Sequence, residues 1–130
     1  MVKHEYFNIV ITGCRKPDGK RMAKSQRRLV RSYIKKMYKI RPNVRFLIGC
    51  AEGVDKVARR YCRKKGIPYK KFKADWKQGN HAGHMRNADM VNIARQGLAF
   101  WDGKSPGTRD CIERLNRKKR VVHIARLDYV

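Results

Sequence analysis

A glycine-bearing bend lets a backbone close on phosphate oxygens, and three segments of this chain offer one, two of them beside a cation or hydroxyl. Gly13-Cys14-Arg15 joins backbone freedom to a guanidinium that can take a phosphate through two parallel hydrogen bonds. Gly49-Cys50-Ala51-Glu52-Gly53-Val54-Asp55 leads into an apolar-periodic stretch, so its last residues fall at a helix start whose unpaired N–H groups attract anions. Asp55 there is either a cap or a partner for a ribose hydroxyl, while Glu52 opposes a phosphate unless it points away. Asp102-Gly103-Lys104-Ser105-Pro106-Gly107-Thr108 sets Ser105, Thr108 and backbone amides around an anion, with Lys104 as added charge and Asp110 as an electrostatic competitor. None of the three is a GxGxxG or GxxxxGK[ST] fingerprint.

Two further stretches lie between these loops. Ala74-Asp75-Trp76 offers an indole that either stacks on a base or packs in the core. In Gly83-His84-Met85-Arg86-Asn87-Ala88-Asp89-Met90, Arg86 and Asn87 suit phosphate, carboxylate or base edges. His84, without a located substrate, reads first as a hydrogen-bonding residue or helix end rather than an acid or base. Cys14, Cys50, Cys62 and Cys111 form no CxxC, so the spacing signals neither zinc nor an iron–sulfur centre, and reduced thiols are expected rather than disulfides.

Positioning these residues requires alternating strands and helices. Glu5 to Thr12 reads as a strand buried on both faces, ending at Gly13; Pro17, Asp18 and Gly19 mark the loop that follows. Leu29, Val30, Tyr33, Ile34, Met37 and Tyr38 make one stripe of a helix beginning near Ser25. Val44 to Ile48 predicts the next strand, and Val54, Val57, Ala58, Tyr61 and Cys62 stripe a second helix capped by Gly66. A strand over Tyr69–Ala74, a helix over Ala82–Ala94 with a looser pattern, a strand over Leu98–Trp101, a helix containing Ile112 and Leu115, and a strand over Val121–Ile124 complete the order. Arg126 to Val130 is expected to be a short tail or an extra contact. This predicts one α/β domain over residues 1–130, a three-layer Rossmann-like arrangement with a mostly parallel sheet of about five strands and helices on both faces. Its crossovers would bring the three glycine-bearing loops to one sheet edge.

Composition narrows the partners. With 34 Lys plus Arg against 10 Asp plus Glu, the 130 residues carry a formal charge of +24 and attract phosphorylated small molecules, nucleic acid or acidic protein. A saline setting or solubility would also select such charge. The apolar runs are far shorter than the ~20 residues that span a bilayer, and the N-terminus has no signal-peptide pattern. A cytoplasmic location is therefore expected, that of a host cell if the chain is phage-encoded.

Taken in order, these pieces resemble the SLOG superfamily of Rossmann-like proteins, in particular its YspA-like branch of bacterial and phage proteins. The matching segments are Gly13-Cys14-Arg15, Gly49 to Asp55, Ala74-Asp75-Trp76, Ala82 to Met90 and Phe100 to Thr108. The resemblance implies a pocket for a nucleotide or nucleotide-derived ligand across the C-terminal strand ends, with no metal evident. It gives no ligand identity, and Cys50 replaces the second glycine of the family-like GGA segment. The chain is more distantly similar to the cytokinin-activating LOG enzymes, whose RK arginine aligns with Arg86. Their PGGxGTxxE segment aligns with Gly107 and Thr108 but places Cys111 on its acidic position. A LOG-like phosphoribohydrolase is thus an alternative without its carboxylate.

The resulting expectation is capture of an anionic ligand by Arg15, Arg86 and the Gly107-Thr108 helix start, with Trp76 or Asn87 recognising its less charged part. Gly13, Gly49, Gly53, Asp55, Asp75, Gly103 and Ser105 complete the expected ligand-binding set. A second alternative is nucleic-acid or polyanion binding through basic residues such as Arg27, Arg28, Lys35, Lys36, Arg59, Arg60, Arg63 and Lys64. A third is an interaction protein that reuses the fold without catalysis, with a homodimer as the prior oligomeric expectation.

Overall fold

The computed structural model describes residues 5–14, 21–79 and 81–127. Its elements alternate as β1 (Phe7–Gly13), α1 (Lys24–Ile40), β2 (Val44–Gly49), α2 (Val54–Lys65), β3 (Tyr69–Phe72), a 3-10 turn (Trp76–Gln78), α3 (Ala82–Ile93), β4 (Gln96–Trp101), α4 (Pro106–Arg117) and β5 (Val121–Arg126). The five strands are parallel throughout, in the order β3-β2-β1-β4-β5. This is the three-layer α/β architecture that the alternation predicts.

The two-residue period of the strands divides the core. Ile9, Ile11, Phe46 and Ile48 face Val30 and Ile34 of α1 and Val54, Ala58 and Cys62 of α2. Val10 and Leu47, the intervening residues, face Met90 and Val91 of α3 and Cys111 and Leu115 of α4. β1 and β2 are thus apolar at consecutive positions because both of their faces are covered, and each fully buried Ile or Leu contributes about 1.5–3 kcal/mol. α2 stops where Gly66 takes a left-handed conformation (φ 69°) and donates its N–H to the Cys62 carbonyl.

Several boundaries differ from the sequence expectation, and pairing explains them. β1 begins at Phe7, the first residue registered against β2, opposite Val44. β3 ends at Phe72 rather than Ala74, because its partner Gly49 is the last residue of β2. β5 runs on to Arg126 because β4 still offers Trp101 opposite it. Of the two expectations for the last residues, Leu127 shows the extra contact: it is 2% exposed and donates its N–H to the Trp101 carbonyl. Pro17, Asp18 and Gly19 lie outside the described residues. Cys50, Cys62 and Cys111 are free thiols. Among the described residues, no helix is long and apolar enough to cross a membrane.

Candidate functional site

From β1 the chain proceeds outward through β2 to β3, and it then returns to the other side of β1 to lay down β4 and β5. The crossovers diverge at the β1–β4 junction, and loops leaving the C-terminal strand ends there enclose a crevice. It measures about 820 Å³ and receives Gly13 and Cys14 from the end of β1, Cys50 to Glu52 after β2, and Ser105 to Thr108 after β4. α3 closes another side with Gly83, Arg86 and Asn87.

At one side of the crevice, Gly49 allows two charged groups to approach the backbone. A Cβ at this position would collide with the Arg86 guanidinium and lie 2.7 Å from Oδ2 of Asp55. Asp55 is only 5% exposed, and its Oδ2 accepts the Ala51 N–H at 3.2 Å. Burial raises its pKa to about 6, against the opposing pull of Arg86, the Ala51 amide and Arg59. Arg59 in turn donates to the Gly49 and Ala51 carbonyls, tying the β2–α2 loop to its own helix. Gly53 starts that helix with φ 81°, a positive value that strains any other residue.

Asn87 couples α3 to α4. Its Nδ2 donates to the Gly107 carbonyl and to Oδ2 of Asp110, both at 3.1 Å, while its Oδ1 accepts from Nε of Arg86 at 3.2 Å. The carboxamide therefore positions the arginine and the first turn of α4. Asp110 also receives Nε of Arg114 at 2.9 Å and has Nδ1 of His84 at 3.8 Å.

The entrance to α4 has a different chemistry. Pro106 supplies no N–H, no acidic residue stands in the first turn, and the first intrahelical amide is that of Arg109, donating to the Ser105 carbonyl. The Gly107 and Thr108 amides precede it and have no carbonyl of a previous helical turn to bond. A Cβ on Gly107 would meet nothing within 4 Å. Asp102 shapes the preceding loop: its Oδ1 accepts the Lys104 and Ser105 N–H groups, each at 2.9 Å, and its Oδ2 pairs with the Ser105 hydroxyl. Partial burial opposes the charge on Asp102, yet these hydrogen bonds hold its pKa below the usual carboxylate range.

Trp76 stands at the rim, 65% exposed, with its ring edge 3.3 Å from where a Cβ of Gly83 would lie. That exposure overturns the core-packing reading of the indole. Lys71 and Lys73 add positive charge along the same wall, and His84 also faces the crevice.

Of the residues singled out in the sequence, Gly13, Asp55, Trp76, Arg86, Asn87, Ser105, Gly107 and Thr108 line the crevice. Gly49 sits against Arg86 and Asp55, whereas Gly53 and Gly103 serve turns outside the lining, the latter at φ 80°. Asp75 is also outside it; its carboxylate accepts the Lys77 N–H and the Gln78 amide. Arg15 falls outside the described residues. Thr12, Lys71, Lys73 and Met90 line the crevice without having been anticipated. The two lysines had no distinguishing signal in so basic a chain, although the pairing of Lys71 with Ile48 near the end of β2 locates them. Among the described residues, no group of three or more His, Cys, Asp or Glu side chains is placed to hold a metal.

A parallel sheet whose crossovers diverge over a crevice with glycine-bearing walls defines a Rossmann-like α/β domain. The X-ray structure of DNA processing protein A from Streptococcus pneumoniae shares this fold, with a TM-score of 0.75 and 14% identity over 93% of the present chain. The present chain spans 50% of that one. The chain belongs to the YspA, cpYpsA-related SLOG family, whose model matches residues 7–79. This gives it a family-level link to the nucleotide- and nucleotide-derivative-binding SLOG fold. No curated protein matches the chain in sequence.

Proposed function

We propose that the crevice binds a nucleotide or nucleotide-derived anion, with its phosphate at the first turn of α4 and Arg86 and its base or other flat portion against Trp76. The reading is carried by one observation: an acid-free helix start and an arginine held by Asn87 open onto the same 820 Å³ space. A helix N-terminus and a guanidinium both favour negative charge, and together they orient a phosphate more strongly than either does alone. Asp55 lines the crevice from the first turn of α2, where its carboxyl suits a sugar hydroxyl.

Binding is favoured over LOG-like phosphoribosyl hydrolysis because Cys111 is fully buried and burial pushes its thiol up to about 12. A neutral thiol at that place gives no carboxylate to stabilise a ribosyl cation or orient water. Native mass spectrometry of gently purified protein, with identification of any small molecule released on denaturation, tests the assignment. A nucleotide panel at near-physiological ionic strength follows, and saturable binding that survives added salt is the expected result. Binding of long nucleic acids alone, with no nucleotide competing, would sink it.

A further inference from the structure

The two helical layers differ sharply in charge. α1 carries seven Lys or Arg and no acid; α2 carries six and a single acid, Asp55, which is buried toward the crevice. α3 and α4 together carry four Lys or Arg against three acids. α1 and α2 pack on the same side of the sheet, so their cations form one layer rather than a scatter over the molecule.

Compensation within this layer is limited: Lys56 pairs with Glu52 at 3.2 Å, just before α2. Repeated i,i+4 pairs such as Arg31/Lys35, Lys35/Lys39 and Arg60/Lys64 set like charges on neighbouring turns, an arrangement that destabilises a helix. Arg27 is held below the usual arginine range by partial burial and by repulsion from Arg21 and Arg31. On the opposite layer, by contrast, Arg114 pairs with Asp110 and Lys118 donates to Asn92. A regularly charged polyanion would relieve the repulsion that α1 and α2 leave unrelieved.

The apolar content of the face selects the kind of polyanion. Of the exposed large hydrophobic residues, only Ile40, at the end of α1, belongs to these helices. The tyrosines Tyr33, Tyr38 and Tyr61 are packed against the core instead of standing out as stacking platforms. A membrane-surface helix needs an apolar face to insert, and a protein interface needs buried anchors; this face supplies neither. Phosphates need only cations at intervals, and α1 extends for about 25 Å at the usual helical rise. We propose that the α1/α2 face is a second binding surface, separate from the crevice, that takes the phosphodiester backbone of nucleic acid without reading its bases.

The test pairs two variants that lose equal charge. One carries Lys35→Gln, Lys36→Gln, Arg60→Gln and Lys64→Gln on the α1/α2 face; the other carries Arg95→Gln, Arg117→Gln, Lys118→Gln and Lys119→Gln around the opposite layer. Fluorescence anisotropy with labelled single strands and duplexes of about 20 nucleotides, titrated with salt, reads the affinity and its salt slope. The α1/α2 variant is expected to bind at least about tenfold more weakly near physiological salt, with a slope shallower by up to about 3 on single strands; the control should change less than about threefold. Several base sequences should bind alike. Melting followed by circular dichroism confirms folding, and the double variant Lys36→Gln, Lys64→Gln should give an intermediate loss. Equal losses in the two quadruple variants, or no loss in either, would overturn the proposal, because net charge alone would then account for binding. Equally tight binding of phosphatidylserine vesicles or polyglutamate would also overturn it. The outcome is independent of nucleotide binding in the crevice, since none of the substituted residues lines it.

Discussion

α2 and α4 both begin at the crevice, yet they present opposite electrostatics to it. α2 brings its own carboxylate, Asp55, into its first turn, where the carboxylate bonds to Ala51 and lies beside Arg86. α4 brings none, and Asp110, the nearest acid in its helix, is taken up by Asn87 and Arg114. One entrance is already answered from within the chain; the other is open to an anion from outside. Two glycine-bearing loops on the same sheet edge thus have different tasks, and a glycine alone does not distinguish them.

The strongest way to break this contrast is at Gly49. Gly49→Val places atoms where Asp55 and Arg86 lie, so ligand binding should vanish and stability should fall by about 1–3 kcal/mol from overpacking, measurable by urea denaturation. Asp55→Asn tests the self-occupied entrance. The folded-state pKa of Asp55 is raised to about 6 from 3.8, so the folded protein holds this proton more tightly. Its contribution to stability is present in full below the unfolded pKa and is lost as pH rises through the folded one. The wild type should therefore lose up to about 3 kcal/mol relative to the asparagine variant between pH ~4 and ~7. A pH-independent difference between the two unfolding curves would show that burial does not dominate this carboxyl.

Arg86→Ala tests the open entrance, and nucleotide affinity should weaken by about 1.5–3 kcal/mol in isothermal titration while the fold is kept. Unchanged affinity in the folded variant would remove Arg86 from the site. Trp76→Ala should have the smallest effect, about 1 kcal/mol of affinity, with little change in melting temperature because the indole is largely exposed. An equal loss for ligands with and without an aromatic base would rule out stacking.

The sheet was readable because its central strands are buried twice over: Ile9-Val10-Ile11 and Phe46-Leu47-Ile48 each supply both cores. α1 and α2 were readable from one apolar stripe apiece. α3 was less distinct, since part of what it buries is Ala82 and the polar Asn87. At the site, residue types and spacing were enough to indicate Arg86, Gly107 and Thr108. They did not separate Asp75, turned to the 3-10 segment, from Asp55, turned to the crevice, because that depends on how each loop folds back. Lys71 and Lys73 stayed hidden for a different reason: their position depends on β3 pairing with β2.

The central place of β1 has a consequence for how the molecule assembles. Ile9, made early, pairs on one side with Phe46 and on the other with Gln96, so one flank of the first strand stays unsatisfied until most of the chain has left the ribosome. The stretch matched by the family model, 7–79, can complete only the β1–β2–β3 half of the sheet. Closing so long a loop carries an entropy cost before any contact rewards it, which predicts slow, late consolidation of the nascent chain around β4.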